Sequence, residues 1–451
     1  MWVNRPSAVG DDLLCPVSTG RTRSKHQLRR LSSQIATRAD LFECPAVLTA
    51  SQHVNSQNNA SETAYAIELA KYHLTRGTET TPSPSDDSGP ATPDESGSTT
   101  TDKYAFAFDI DGVLIKGGEV IPAAIEAMKV LNGENEYGIK VPYIFVTNGG
   151  GKTEEERCIQ LSNQLQVDVS PGQFICGHTP MRELAQKYHT VLVVGGEGEK
   201  CRTVAKGYGF KDVITPGDII KDNKDTTPFR KLTEEELNNS NQRNYGEVDI
   251  EAVFVFADSR DWAGDCQIIL DICPPVFFSH NDVVWATSHK HSRIGMGALR
   301  ASLEAMFRAI TGQEIKTIAF GKPQMGTFEF ATRLLQQWRK DTHGINRPPE
   351  TVYFIGDTPA SDIRGTNEFN DMGSTEATWH SILVKTGVFQ EGGRPEYVPK
   401  TTVDNVLDAV RYGMQREADK SSRDPMDPFM KTSLISCKNV SEDLVSERLR
   451  D

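Results

Sequence analysis

The sequence lacks the marks of membrane proteins, disulfide-stabilised scaffolds and nucleic-acid-binding proteins. Its 451 residues contain no apolar run of about 18 residues, so we predict no transmembrane helix. The eight cysteines include no Cys-x-x-Cys pair, and a chain of this size needs no disulfide framework, so we expect reduced thiols. The net charge of −13 argues against nucleic acid as a partner, because phosphate-backbone binding needs a concentrated basic surface.

Residues 1–102 are of a different kind from the rest and are predicted to be a low-order N-terminal region. Residues 1–50 hold seven Lys/Arg against four Asp/Glu and resemble an Arg- and Ser-rich mitochondrial transit segment, from which Asp11 and Asp12 depart. The alternative is a basic tail with no targeting role, which would leave the protein cytoplasmic. Residues 78–101 are a Ser/Thr/Pro-rich linker with too little apolar surface to fold.

The segment FAFDIDGVLI is the most informative in the chain. Its apolar run from Tyr104 to Ile110 predicts a strand that is covered on both faces, and Asp109 and Asp111 stand at the end of that strand. Two such close carboxylates repel each other, so the arrangement needs a cation, or one carboxyl must keep its proton. The alternative is an ordinary surface turn, since Asp and Gly commonly follow strands.

Three later segments favour the functional interpretation. Residues 145–151, FVTNGGG, end a second apolar strand with Thr147, Asn148 and a glycine run whose backbone N–H groups can approach an anion. Residues 320–323, FGKP, present Lys322 after a short apolar stretch. Residues 352–362, VYFIGDTPASD, form a third strand that ends at Asp357, with Asp362 where a helix begins.

Taken in order, these four segments resemble the motifs of the haloacid dehalogenase superfamily of phosphohydrolases over roughly residues 103–412. The layout is similar to the capped subfamily that includes NagD-type nucleotide and sugar phosphatases and pyridoxal phosphatases. The segments GDTPASDIRGTNEF and WHSILVKTGVF are most similar to its cat-eye-syndrome-critical-region branch. That branch implies a link to mitochondria and to glycerophospholipid metabolism.

The resemblance implies a role for each motif residue. Asp109 matches the nucleophile that forms an aspartyl-phosphate, Asp111 the general acid and base, and Lys322 the cation that neutralises the phosphoryl group. Phosphate binding is implied for Thr147, Asn148 and Gly149. The implied Mg²⁺ ligands are Asp109, Asp111 through its backbone carbonyl, Asp357 and Asp362.

Elementary physical chemistry agrees with these roles. A carboxylate can attack a phosphate dianion only if a cation lowers their repulsion, and hard oxygen ligands favour Mg²⁺ over zinc. The second Asp separates the chain from the superfamily's true dehalogenases, which lack that acid. The sequence GGGKT at 149–153 suggests a nucleotide P-loop, but the required earlier glycine is Val146, so we interpret the segment as a turn.

Strands that alternate with helices predict a doubly wound parallel-sheet α/β core with ligands at the carboxyl ends of the strands, and the resemblance implies that this core is of the Rossmann-like haloacid dehalogenase type. The long segment between Asn148 and Lys322 leaves room for an inserted α/β cap domain. We therefore predict a first core segment at 103–168, the cap at 169–291, a second core segment at 292–412 and a disordered tail at 413–451.

The expected activity is Mg²⁺-dependent hydrolysis of a small phosphorylated metabolite that the cap selects. The alternatives are a binding or scaffold protein of the same fold with negligible turnover, and transfer of the phosphoryl group to an alcohol instead of water. The subfamily also implies a homodimer through the cap. The candidate substrate-reading residues of the cap are Arg260, Asp261, Asn281 and Asp282.

Overall fold

The computed structural model of the protein describes residues 99–373 and 376–423. Its strands are short and are mostly separated by helices. In chain order they are β1 (Thr99–Thr100), β2 (Tyr104–Phe108), β3 (Ile115–Lys116), β4 (Glu119–Val120), β5 (Ile139–Lys140), β6 (Tyr143–Val146), β7 (Phe174–Ile175), β8 (Thr190–Val194), β9 (Asp212–Ile214), β10 (Ala252–Val255), β11 (Val276–Phe278), β12 (Val284–Trp285), β13 (Arg293–Ile294), β14 (Thr317–Ala319), β15 (Thr351–Gly356), β16 (Thr378–Val384) and β17 (Thr401–Val403).

The helices cover the sheets. They are α1 (Pro122–Leu131), α2 (Glu154–Leu165), α3 (Lys200–Gly207), α4 (Pro216–Asp222), α5 (Glu234–Asn239), α6 (Trp262–Ile272), α7 (Met296–Thr311), α8 (Met325–His343), α9 (Arg364–Asp371) and α10 (Val406–Arg423). A single turn of π-helix at Pro359–Ile363 precedes α9, and 3₁₀ turns lie at Pro171–Gln173, Thr179–Gln186, Lys224–Thr226 and Tyr245–Glu247.

The core sheet has six parallel strands in the order β17-β16-β15-β2-β6-β7. Side chains alternate along β2: Phe106 and Phe108 pack in the layer that contains α1 and α10, whereas Ala105 and Ala107 pack in the layer with α8 and α9. Apolar residues therefore occupy both faces of the strand, as its unbroken apolar run predicts. The predicted doubly wound parallel-sheet core is confirmed.

A second five-stranded parallel sheet, in the order β14-β11-β10-β8-β9, lies within the chain segment between β7 and α8. It has its own apolar core and forms what we call the inserted unit, residues 176–320. Two small antiparallel hairpins, β3–β4 of the core and β12–β13 of the inserted unit, approach each other. A Cβ on Gly117 would lie 2.8 Å from the backbone nitrogen of Ser288.

The structure corrects the predicted boundaries of the inserted unit. Strand β7 hydrogen-bonds to β6 of the core sheet, so residues 169–175 belong to the core and not to the cap. At the other end, β14 pairs with β11, so the inserted unit continues to about residue 320 instead of ending at 291. The apolar side chains of α7 pack in the inserted unit's core. An amphipathic pattern does not show which of two sheets a helix covers, so the predicted second core segment begins too early.

The ends of the core also differ from the prediction. Strand β1 pairs with β5, so the last residues of the predicted linker join the fold before residue 103. Helix α10 continues to Arg423, past the predicted end of the domain at 412, because Met414 and Glu417 are buried. The predicted transit segment, most of the linker and the tail beyond 423 lie outside the described residues. Within the described ranges, no helix is both long and apolar enough to span a membrane.

Candidate active site

The motif residues meet at the carboxyl edge of the core sheet. Strands β15, β2 and β6 are neighbours, and each is followed directly by a polar residue: Asp357, Asp109 and Thr147. All three side chains are buried. Parallel strands end at the same edge of their sheet, so three polar positions that are distant in sequence become adjacent in space.

Lys322 joins this group from the segment that follows β14 of the inserted unit. Its side chain is 2% exposed, and its Nζ lies 2.6 Å from Asp109 Oδ1 and 2.8 Å from Asp362 Oδ1. The ammonium also lies 5.5 Å from the centre of the Phe354 ring. The buried ammonium therefore bridges two carboxylates that approach it from β2 and from the π-helical turn.

Backbone N–H groups hold the carboxylates of Asp357 and Asp362 in place. Asp362 Oδ2 accepts hydrogen bonds from the backbone N–H groups of Asp357, at 3.0 Å, and Thr358, at 2.9 Å. Asp357 Oδ2 accepts from Val388 N at 2.6 Å. The packing leaves no space beside Asp362, because a Cβ on Gly356 would lie 2.3 Å from the Cβ of that side chain.

The carboxyl group of Asp109 is under electrostatic strain, together with those of Asp357 and Asp362. Carboxylate oxygens of these three residues lie within 4.8 Å of one another. Burial raises the pKa of Asp109 well above its usual range, although Lys322 opposes this effect, and burial raises the pKa of Asp357 to about 7 with a further contribution from Asp362. Three buried acids share one ammonium, so a further cation would stabilise their ionised forms.

The chemistry of the ligand atoms indicates which cation would bind to these three carboxylates. The cluster offers carboxylate oxygens and neither thiolate nor imidazole, and hard oxygen donors suit Mg²⁺. Asp109, Asp357 and Asp362 therefore fit the expected metal. The resemblance also implies that Asp111 binds the metal through its backbone carbonyl. Its side-chain carboxylate is not part of this cluster.

Asp111 lies in a neighbouring cavity of about 150 Å³, which we call the side cavity. Thr147 and Gly149 also line it, and a Cβ on Gly149 would lie 3.1 Å from Asp111 Oδ2. Burial raises the pKa of Asp111, while Arg157 and, less strongly, Lys322 lower it. A carboxyl group with a raised pKa keeps its proton at higher pH, which suits a general acid.

The three predicted phosphate-binding residues have different surroundings. Thr147 Oγ1 accepts a hydrogen bond from the Gly149 backbone N–H at 3.0 Å. Asn148 holds the Lys322 segment: its Oδ1 accepts from Lys322 N at 2.7 Å and its Nδ2 donates to Lys322 O at 2.9 Å. The side chain of Asn148 thus positions the lysine, and Thr147 and Gly149 border the side cavity.

Among the four candidate substrate-reading residues, Asp282 is the one that bonds to a motif residue, since its Oδ2 accepts from Asn148 Nδ2 at 2.8 Å. Asp261 caps α6 and pairs with Arg230 at 2.5 Å. The remaining two have other contacts: Arg260 is largely exposed near Glu197, and Asn281 Oδ1 accepts from Arg300 at 3.4 Å.

Sequence reasoning missed two basic residues that line the side cavity, Lys152 and Arg157. Lys152 stands out in the sequence only through the apparent P-loop, and Arg157 lies near the start of α2 in an otherwise acidic stretch, EEER. A capping box between Thr153 and Glu156 starts this helix directly after the glycine run. That capping box is the signal from which Arg157 could have been placed near the strand-end residues.

Comparisons with known proteins confirm the predicted family. The family described as haloacid dehalogenase-like hydrolase matches residues 106–211, and a second family, described as HAD-hydrolase-like, matches residues 319–409. The chain is 36% identical over 359 residues to the mitochondrial hydrolase YKR070W of Saccharomyces cerevisiae, an alignment that covers 71% of this chain and 98% of that protein.

Two further similarities are of narrower scope. A cardiolipin synthase (CMP-forming) / mitochondrial hydrolase fusion protein of Schizosaccharomyces pombe is 35% identical over 330 residues, which cover 69% of this chain and 53% of the fusion protein. This chain thus spans about half of that protein's length. The solved structure of a p-nitrophenyl phosphatase from Archaeoglobus fulgidus has 18% identity and a TM-score of 0.47, and its alignment covers 69% of this chain and all of that one.

Proposed function

The chain belongs to the haloacid dehalogenase-like hydrolases, and on that premise we propose that it is an enzyme of the phosphoric monoester hydrolase type. It hydrolyses a small phosphorylated metabolite with Mg²⁺ as cofactor, through an aspartyl-phosphate on Asp109. The observation that carries the proposal is the contact of Lys322 Nζ with Asp109 and Asp362, beside Asp357. A buried nucleophile, a neutralising ammonium and hard oxygen donors are the groups that phosphoryl transfer requires.

In the first step, a carboxylate oxygen of Asp109 attacks phosphorus, and the bond from phosphorus to the ester oxygen breaks. Asp111 donates its proton to the leaving alkoxide, and the raised pKa of its buried carboxyl group supports this role. Lys322 balances negative charge on Asp109 and on the phosphoryl oxygens. Mg²⁺, bound by Asp109, Asp357 and Asp362, would lower the repulsion between the nucleophile and the phosphate dianion.

In the second step, the aspartyl-phosphate is hydrolysed. Asp111, now ionised, takes a proton from a water molecule whose oxygen attacks phosphorus, and the acyl phosphate bond breaks. Inorganic phosphate leaves and both carboxyl groups return to their starting states. Thr147 borders the same cavity as Asp111, which supports the proposal that its hydroxyl donates to a phosphate oxygen.

We further propose a mitochondrial location and a role in glycerophospholipid metabolism. The names of the two relatives support this proposal: one is a mitochondrial hydrolase, and the other joins such a hydrolase to a cardiolipin synthase. Fluorescence microscopy of the full chain with a C-terminal tag tests the location, against the cytoplasmic alternative. A homodimer through the inserted unit stays a prediction, which analytical ultracentrifugation of the purified protein tests.

The test of the activity is a phosphate-release assay over a panel of phosphate esters. We expect turnover by the wild-type protein with Mg²⁺, none above background with a chelator, and none in Asp109→Asn. Asp341→Asn is the control, since this residue is exposed at the end of α8 and should behave like the wild type. Wild-type protein without turnover on any ester would favour the scaffold alternative, and a phosphorylated alcohol among the products would favour phosphoryl transfer to an acceptor other than water.

A further inference from the structure

The side cavity has an unusual balance of charge. Its wall includes two basic side chains, Lys152 and Arg157, and one acidic side chain, Asp111. Thr147, Phe174 and Cys176 complete most of the lining. Burial raises the pKa of the Cys176 thiol to about 12, so that group is neutral and adds no negative charge.

Among the described residues, neither basic group forms a salt bridge. In residues 99–373 and 376–423, the Arg157 guanidinium forms no ion pair or side-chain hydrogen bond, and Lys152 Nζ donates to the neutral Gln160 Oε1 at 2.8 Å. A half-buried guanidinium normally finds an anion or a carbonyl group, because its donors are costly to desolvate unpaired. The cavity therefore presents an unused set of donors.

The nearby acids have other partners. Glu154 begins α2 next to the cavity, but its Oε1 accepts hydrogen bonds from Thr179 Oγ1, at 2.8 Å, and from the Tyr208 hydroxyl. The side chain of Glu156 accepts a hydrogen bond from the Thr153 backbone N–H in the capping box. Glu154 and Glu156 therefore have hydrogen-bond partners of their own and form no salt bridge with Lys152 or Arg157.

We propose that Arg157 and Lys152 form a specificity site for a second acidic group of the substrate. The inference rests on the proposed phosphatase function, in which Asp111 protonates the leaving oxygen and the leaving group therefore occupies the side cavity. Arg157 and Asp111 line the same cavity, so a group bound beside Asp111 lies near the guanidinium. The preferred substrates are then phosphate esters whose alcohol carries a carboxylate or a second phosphate beside the leaving oxygen.

The size of the cavity limits the alcohol. Its volume of about 150 Å³ is smaller than the ~300 Å³ at the lower end of pockets that hold drug-sized ligands. A three-carbon alcohol with one acidic substituent is a suitable class. The site thus selects short, doubly anionic phosphate esters.

Matched substrates test the site. The first pair is glycerol 2-phosphate and 2-phosphoglycerate, which differ by a carboxylate, and the second is the mono- and bisphosphate of propane-1,3-diol. We expect wild-type kcat/KM to be higher for the doubly anionic member of at least one pair, and the pair that shows this identifies the acidic group. Arg157→Gln should reduce that preference about 10- to 100-fold, mainly through KM, because one charge-assisted contact is lost.

Two variants serve as controls. Arg157→Lys keeps the charge but not the planar fork of donors, so it should recover part of the preference. Arg333→Gln removes an exposed arginine on α8 that does not line the side cavity, and should retain the wild-type preference. Equal kcat/KM for both members of both pairs, or an unchanged preference in Arg157→Gln, would overturn the proposal.

A binding experiment separates the failure of this inference from the failure of the phosphatase function. Calorimetry with Mg²⁺ present compares 3-phosphonopropionate with propylphosphonate, neither of which can be hydrolysed at the P–C bond by this route. Tighter binding of the carboxylate compound that depends on Arg157, without turnover of any ester, would retain the anion site and refute the phosphatase function. Turnover without any preference would do the reverse, and neither preference nor turnover would refute both.

Discussion

Replacing Lys322 with methionine is the most informative single change at the site. Methionine keeps an unbranched apolar stem, so the change removes chiefly the ammonium group that lies 2.6 Å from Asp109 and 2.8 Å from Asp362. At an effective dielectric constant of about 20, each of these contacts is worth about 6 kcal/mol before desolvation is counted. The net cost of removing one partner of a buried ion pair is smaller, about 3–5 kcal/mol, because the desolvation of the removed charge is no longer required; the cost remains large because the other charge is left unpaired.

The cost should depend on pH. Burial already raises the pKa of Asp109, and loss of the ammonium raises it further. A carboxyl group whose pKa is higher in the folded than in the unfolded state binds more protons when the protein is folded. Its contribution to the stability of the protein is therefore lost as pH rises through the folded-state pKa. In metal-free protein, we therefore expect Lys322→Met to lower the free energy of unfolding by about 3–5 kcal/mol at pH 8 and by much less at pH 5.

Urea denaturation in a chelator at the two pH values measures this difference, and added Mg²⁺ should restore part of the stability at pH 8. With Mg²⁺, kcat should fall about 100- to 1000-fold, since a preorganised charge at the reacting group is gone. Lys129→Met is the control: this lysine forms an exposed pair with Glu126 at 2.9 Å and should change neither quantity appreciably. A pH-independent change in Lys322→Met, or one below about 1 kcal/mol at pH 8, would refute the reasoning.

Three further changes test other regions of the structure. Gly356→Ala should destabilise the protein by about 1–3 kcal/mol, measured by urea denaturation, because the new Cβ would overlap the Asp362 side chain. Burial raises the pKa of Asp265 from 3.8 to about 6, so this group's contribution to stability should fall by about 3 kcal/mol as pH rises through that interval, and Asp265→Asn should remove this contribution from the pH profile. Asp282→Ala removes the acceptor at 2.8 Å from Asn148 and should lower kcat/KM by less than about tenfold, since the two bonds from Asn148 to the Lys322 backbone remain.

The strand-end carboxylates could be predicted from the sequence because their placement follows from local patterns. Apolar runs identify β2 and β15, each run stops at an acidic residue, and parallel strands share one carboxyl edge. Asp109 and Asp357 therefore had to lie near each other once the strands were adjacent. Asp362 followed from the helical turn after β15.

Other features depend on tertiary contacts that no local pattern shows. Lys322 reaches the site from the end of β14, which lies in a different sheet. Two hydrogen bonds between the Asn148 side chain and the Lys322 backbone set its position. The boundary of the inserted unit was misplaced because α7 has the same amphipathic pattern whichever sheet it covers. Arg157 was missed because its importance comes from a missing partner, and a sequence does not show which charges remain unpaired.

The central claim is that Asp109 becomes phosphorylated during turnover. Mass spectrometry of rapidly quenched protein measures this directly, after incubation with p-nitrophenyl phosphate and Mg²⁺. We expect one added phosphoryl group on the peptide that contains Asp109. The yield of this phosphorylated peptide should be higher in Asp111→Asn than in the wild type, because the variant no longer activates water. Turnover with no phosphoryl group on that peptide in either protein, or with the group on another residue, would contradict the account.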